Sequence, residues 1–334
     1  MHLPRLKTLF LVLILSVVLT ACGGGKDGTP AWPGDPNLKG GNGPVSGLSG
    51  KIVFADTNIG LRTWLIMRDE STFTENGNFG IDVAQGINEY IIRNLIGEIR
   101  GELNHDGKTH YILRYPAFEG WSREYFDEIM SFGAITYTVR WPNGKEIEFW
   151  IDRDNPLMKQ GTVDIILRAI NRWQEVLRNE ITFREIKNSN ITDEQGISIR
   201  LVTQDHFKEI GYDSQVIGYC EITHGIETKQ IKRGKIYIDH EYQDWYGVFL
   251  HELGHCIGLS HSPDWNDVMY FAIADKNKEL SEKEINMARL LYSIPMGTPM
   301  FSQRMTVRVH HNHDVIYNPD GTVDIRMPLV LARD

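Results

Sequence analysis

The sequence predicts an α+β domain preceded by a small all-β sandwich, and three patterns support this fold class. Short apolar runs separated by turn residues occur between residues 51 and 118, which is typical of a sandwich. Apolar residues then recur every three or four positions over 163–179, which indicates an amphipathic helix. A second helix over 246–259 lies among further strand patterns, including the alternation at 136–141, and strands with interspersed helices make an α+β unit. We therefore expect the sandwich at 51–130 and the α+β domain at 131–295.

Two segments precede the sandwich. Arg5 and Lys7 come before an apolar run at 9–19 that is too short to span a bilayer with its flanks, so we expect a signal peptide at 1–21. Residues 22–50 are rich in glycine and proline and poor in aliphatic residues, which predicts a flexible tether.

The junction of these two segments, residues 19–22 (Leu-Thr-Ala-Cys), resembles the lipobox of bacterial lipoproteins. The resemblance implies that Cys22 is acylated and anchors the chain to a lipid bilayer. It also implies a location in the bacterial cell envelope, at the outer membrane or cell surface, facing the periplasm or the exterior. The alternative is an ordinary signal peptide that happens to contain a cysteine.

Composition excludes several classes of protein. With 41% hydrophobic residues the chain is neither collagen, a coiled coil nor wholly disordered. Its formal net charge of −9 argues against a nucleic-acid partner, because neutralising phosphates requires surplus Lys and Arg. Three cysteines are too few for a disulfide framework. We expect a monomer.

The motif that carries chemistry begins at His251 and ends at His261. His251 and His255 are four residues apart, so on a helix their imidazoles project from one face and can bind one metal ion. Glu252 lies between them, as a general base for an attacking water would. Gly258 can take a positive φ, end the helix and turn the chain so that His261 returns as a third ligand. Three nitrogen ligands leave a fourth position open, as in a catalytic zinc site.

This motif matches the metzincin metallopeptidases, and its setting resembles their matrixin branch. Ser262 directly after the third histidine and the segment 267–270 resemble the His-Ser and Met-turn signatures of that branch. Residues 280–292 resemble its closing helix, which begins Leu-Ser and ends Leu-Tyr. The resemblance extends over about residues 135–294 and implies a twisted mixed sheet with an active-site helix and a Met-turn.

The matrixin resemblance also implies a function, that of a zinc endopeptidase acting on proteins or peptides. Glu252 would take a proton from the attacking water and pass it to the leaving amine, while Met269 would form a hydrophobic floor beneath the histidines. Tyr270 could line the site, and 271–274 would wall the specificity pocket. We expect one Zn²⁺ and leave Ca²⁺ open, because residues 201–244 lack the Gly-Asp-rich loop that binds it in many animal members. The alternative is an anchored adhesion or binding lipoprotein whose metal site is structural or inactive.

The positions of the cysteines bear on two questions: how the enzyme could be kept inactive, and whether a disulfide forms. Matrixins commonly stay latent through a propeptide cysteine, but Cys22 alone precedes the catalytic unit here, so we expect that switch to be absent. Cys220 and Cys256 would either form a disulfide outside the cytoplasm or remain two buried thiols.

The flanking regions have weaker signatures. Residues 49–53 and 71–81 resemble the carboxypeptidase-regulatory-like sandwich, which implies an accessory module; an inhibitory propeptide is the alternative. Residues 296–334 predict a β-hairpin extension appended after the catalytic unit. Three histidines there are expected on a solvated strand edge rather than around a metal: His310, His311 and His313.

Overall fold

The computed structural model describes six stretches of the chain: 45–108, 110–178, 180–187, 195–212, 215–300 and 313–332. The signal peptide, Cys22, most of the tether, His310 and His311 lie outside these stretches, so the expectations about them stay predictions. Among the described helices, none has the length and apolar character that crossing a membrane requires.

The N-terminal region consists of two β-sheets. A three-stranded sheet has the order β4-β1-β7, and a four-stranded antiparallel sheet has the order β3-β2-β5-β6. Buried side chains from both sheets belong to one hydrophobic core, as the predicted sandwich requires. The strands are β1 Val45–Phe54, β2 Thr63–Met67, β3 Glu70–Thr74, β4 Asn78–Ala84, β5 Gly86–Arg93, β6 Glu98–His105 and β7 Tyr111–Tyr115.

The start of this region differs from the sequence expectation. Strand β1 begins at Val45, inside the segment 22–50 that composition assigned to the tether. The glycines there serve close packing: a Cβ on Gly50 would lie 2.1 Å from the carbonyl oxygen of Tyr111 on β7. Composition therefore misplaced the boundary, because glycine indicates both flexible chain and close strand contact.

The catalytic region is built on one mixed eight-stranded sheet of order β13-β15-β11-β12-β10-β8-β9, with β14 pairing β15. Strands β9, β8, β10 and β12 are parallel, and β11 runs antiparallel to β12. The strands are β8 Lys145–Ile151, β9 Ile181–Glu185, β10 Gly196–Val202, β11 Val216–Gly225, β12 Ile231–Asp239, β13 Ala272–Ile273, β14 Asp314–Tyr317 and β15 Thr322–Leu331. The helices are α1 Arg123–Ile129, α2 Gln160–Leu177, α3 Gln204–Glu209, α4 Tyr246–Cys256 and α5 Glu282–Ser293.

Helix α2 supports the helix that carries the motif. Its predicted apolar stripe is buried, including Ile166, Ile170 and Trp173. The indole Nε1 of Trp173 donates a hydrogen bond to the carbonyl of Leu250 on α4 at 2.9 Å. All residues of α4 are buried, so the motif helix is held between α2 and the sheet.

Two further expectations were wrong. Residues 136–141 show alternation typical of a strand but form only isolated bridges, at Tyr137 and Arg140. The predicted C-terminal hairpin does form, since β14 pairs antiparallel with β15, but its expected place outside the main sheet was wrong, because β15 also pairs antiparallel with β11 along its length. A period-two pattern specifies which face of a strand is buried but does not specify its neighbour.

Candidate metal centre

Three imidazoles converge at the C-terminal end of α4. His251 and His255 lie one helical turn apart, and their Nε2 atoms are 2.9 Å from each other. His261 completes the set, and the candidate ligand atoms of all three residues lie within 4.8 Å of one another. Each imidazole is at most 1% exposed. The arrangement can hold one metal ion.

Backbone carbonyls set the tautomers of the first two histidines. Nδ1 of His251 lies 2.7 Å from the carbonyl oxygen of Val268, and Nδ1 of His255 lies 2.8 Å from that of Leu259. A carbonyl only accepts, so each Nδ1 carries the proton and each Nε2 presents its lone pair. This is the arrangement of metal-binding histidines, whose second nitrogen is hydrogen-bonded to an outer partner. The residues therefore fit a metal ion chemically.

The third histidine has a side-chain partner that the sequence analysis missed. Nδ1 of His261 lies 3.0 Å from Nε2 of His313. His313 is half-buried and packs beside Phe132, with 6.2 Å between ring centroids. The expected solvated strand edge was therefore wrong for His313, because the chain just before β14 folds back onto the end of the site.

Gly258 makes the turn that returns His261 to the site. Its φ is +108°, in the region that only glycine adopts readily. Helix α4 ends at Cys256, three residues earlier than the predicted 259. A Cβ on Gly258 would lie 2.3 Å from the carbonyl oxygen of Val139, so both conformation and space require glycine.

Glu252 is a fully buried carboxyl. Neither of its oxygens has a hydrogen-bond partner among the described residues. Its carboxyl lies against β11, where a Cβ on Gly218 would come within 2.3 Å of Oε1. Burial and, secondarily, the neighbouring Cys256 raise the pKa of Glu252 well above its usual range. Keeping a buried carboxyl without a partner is costly, and such groups concentrate at functional sites, which makes Glu252 a candidate functional residue.

Met269 packs against helix α4, which carries the motif. It is fully buried, and its Sδ would be 2.3 Å from a Cβ on Gly254. Its carbonyl accepts a hydrogen bond from the backbone N–H of Ser262 at 2.7 Å. The side chain thus packs on α4 between the turns that carry the two histidines, as a floor would.

A buried polar network holds the Met-turn, and the sequence analysis missed it. Asp267 accepts hydrogen bonds from the hydroxyls of Tyr125 at 2.5 Å and Ser281 at 2.8 Å. Glu284 accepts from the backbone N–H groups of Met269 at 2.7 Å and Ser281 at 2.8 Å. Ser281 and Glu284 form a capping box, a sequence signature that could have indicated their role.

Glu284 makes stability depend on pH. Burial, and then the charge of Asp267, raise its pKa from 4.5 to about 7. The native state therefore binds this proton more tightly than the unfolded chain does. Its contribution to the free energy of unfolding is present below pH 4.5 and is lost as pH rises through about 7.

We expect Glu284→Gln to remove this dependence. Urea unfolding of both proteins between about pH 4.5 and 7.5 would measure it, the difference between the two curves isolating this group. Glutamine at this position can keep the capping box with Ser281. Parallel pH curves for the two proteins would contradict the assignment.

The two cysteines of the catalytic region lie in contact. Cys220 on β11 and Cys256 on α4 are free thiols whose sulfur atoms are 3.1 Å apart. A disulfide bond is about 2.05 Å long. Burial raises the pKa of Cys220 well above its usual range, which disfavours the thiolate needed for oxidation. The bridge stays a prediction.

Fold and site together define a candidate metal centre beside a mixed sheet, with two histidines and a glutamate on one helix and the third histidine just after it. Residues 140–293 match the model of the family described as Matrixin. The segment that is similar to matrixins includes all three histidines, Glu252 and Met269.

Two curated proteins are similar to this chain. "Metalloendoproteinase 2-MMP" of Arabidopsis thaliana is 22% identical over 239 residues, covering 64% of this chain. "Matrix metalloproteinase-18" of Xenopus laevis is 27% identical over 178 residues, covering 49% of this chain. The chain spans 60% and 36% of the length of these relatives. The comparisons support a metalloprotease hydrolase.

Proposed function

We propose that this protein is a zinc-dependent endopeptidase that hydrolyses peptide bonds in extracellular or cell-envelope proteins. The main supporting observation is that three buried imidazoles converge, two of them on the helix that also carries Glu252 and with tautomers set by backbone carbonyls. Tethering through an acylated Cys22 would place this activity at a bilayer surface.

The histidines and Glu252 have different roles in the proposed reaction. His251, His255 and His261 would hold zinc through their Nε2 atoms. Bound zinc supplies Lewis-acid chemistry, polarising the scissile carbonyl and acidifying the attacking water. Glu252 accepts the proton of that water and then donates it to the leaving amine.

The first test is metal content and cleavage of the full chain. We expect one zinc per chain and slow hydrolysis of casein or of a broad peptide library. In His255→Ala, zinc affinity should fall by more than about 100-fold, since even outer-sphere partners contribute 10–100-fold. Cleavage should be lost with the metal.

His110→Ala is the matched control, because His110 is exposed and is not among the three clustered histidines. It should keep both zinc and activity. Equal zinc affinity in wild type and His255→Ala would contradict the ligand assignment. Zinc binding without any cleavage would favour the binding-lipoprotein alternative.

A further inference from the structure

The candidate site is closed to solvent. His251, Glu252 and His255 are 0% exposed, and His261 is 1% exposed. A peptidase must let an extended peptide reach such residues. The elements that cover them therefore decide whether substrate has access. The covering elements include residues 313–332, here called the C-terminal hairpin, which follow the matrixin segment 140–293.

Strand β15 of the C-terminal hairpin is inserted between two elements of the site. It pairs antiparallel with β11 and parallel with β13, the segment just after the Met-turn. Three hydrogen bonds alternate between its two sides: Val330 N–H to Phe271 O at 3.1 Å, Leu331 N–H to Gln215 O at 2.9 Å, and Ala332 N–H to Ile273 O at 3.0 Å. Main-chain bonding of this kind is how extended peptides add to a sheet edge.

Leu329 is the residue of β15 that lies beside the proposed general base, Glu252. It is fully buried and stands opposite Gly218 on β11. Gly218 is the residue against which the Glu252 carboxyl lies. Leu329 is the last of four alternating inward side chains of β15, each 0% exposed: Val323, Ile325, Met327 and Leu329.

The other end of the C-terminal hairpin also contacts the site. His313 hydrogen-bonds to His261 at 3.0 Å, and β14 follows it directly. The hairpin is thus attached both to a metal-ligand candidate and to the sheet edge beside Glu252. A strand serving only to extend the sheet would not need the contact with His261.

We propose that the C-terminal hairpin occupies the position of the substrate strand and keeps the peptidase latent, a regulation that rests on the proposed function. Because the hairpin belongs to the same chain, its effective concentration is of millimolar order, above that of ordinary substrates. Substrate enters only when β15 leaves the groove between β11 and β13. The C-terminal hairpin would thus keep the peptidase inactive, which is the role expected of a propeptide cysteine in matrixins.

The first experiment weakens the strand in the full chain. Leu329→Ala should raise kcat/KM for a quenched peptide by about tenfold or more, because activity scales with the fraction of open molecules. Zinc content should not change. Leu290→Ala on α5 is the matched control, since Leu290 is a leucine 1% exposed outside the C-terminal hairpin. It should lower stability without raising activity.

The second experiment measures occupancy without catalysis. A fluorescent peptide with the sequence of residues 322–332 should bind the full-length Leu329→Ala variant, as seen by anisotropy. It should bind wild type at least about tenfold more weakly, because the groove is already filled. The unlabelled peptide should inhibit Leu329→Ala in competition with substrate.

Three outcomes are distinguishable. Unchanged or reduced activity in a folded, zinc-loaded Leu329→Ala, with no preferential peptide binding, overturns latency and leaves β15 a structural strand. Equal gains in Leu329→Ala and Leu290→Ala also overturn it. If neither protein cleaves any peptide although both hold zinc, the proposed function fails, and peptide binding alone then decides whether the groove is filled by β15.

Discussion

Glu252→Gln is expected to lower kcat/KM for peptide hydrolysis by about 10²–10⁴-fold, the usual contribution of a general acid–base. Glutamine keeps the shape of the side chain but cannot take the proton of the attacking water. Zinc content should stay at the wild-type level, because the three imidazoles are unchanged. The fold should not be weakened, because a neutral amide removes a buried carboxyl whose oxygens have no partner among the described residues.

The effect of Glu252→Gln on activity is best measured in two proteins, with and without a second substitution at Leu329. Initial rates on a quenched peptide would be compared in the full chain and in full-length Leu329→Ala, where activity should be higher. Glu241→Gln is the control, since Glu241 is an exposed glutamate shortly before α4. A loss of less than about tenfold in Glu252→Gln would remove Glu252 from its assigned role, because general acid–base groups typically contribute 10²–10⁴.

Gly258→Ala is expected to be the most destabilising single change near the site. The residue has a φ of +108°, and a Cβ would lie 2.3 Å from the carbonyl oxygen of Val139. Backbone strain contributes about 1–3 kcal/mol, and relieving the overlap requires the chain to shift by a further similar amount. We therefore expect a loss of about 3 kcal/mol or more in the free energy of unfolding of the metal-free protein.

The same change should weaken zinc binding, because displacing the turn at Gly258 moves His261. Gly211→Ala separates the two causes: Gly211 has a φ of +95°, but no atom lies within 4 Å of its added Cβ. It should lose only about 1–2 kcal/mol, from strain alone, and keep its zinc affinity. Equal losses in urea unfolding for both variants would show that the contact with Val139 is unimportant.

The parts predicted well from the sequence are those whose geometry is local. The spacing of His251 and His255 places both imidazoles on one helix face, and Gly258 supplies the positive φ that the return of His261 needs. The apolar stripe of α2 is likewise local, and its predicted range of 163–179 is within three residues of the observed helix.

The wrong predictions are those that depended on contacts distant in the chain, which composition and apolar alternation do not reveal. Residues 136–141 alternate like a strand, yet only isolated bridges form there. Strand β1 begins within a glycine-rich stretch, because Gly50 permits close approach to β7. In both cases the deciding interaction is with a residue distant in the chain, so no local pattern could reveal it.

The sequence by itself therefore determined the candidate ligand set, the candidate general base and the turn that joins them, since helix periodicity and glycine conformation act within a few residues. Only the tertiary structure decided that β15 pairs with β11 beside Glu252 and that His313 contacts His261. The alternation of β15 specifies a buried face but not a partner. Which sheet edge a strand joins depends on the hydrogen-bonding groups and apolar surface that the rest of the chain leaves uncovered there.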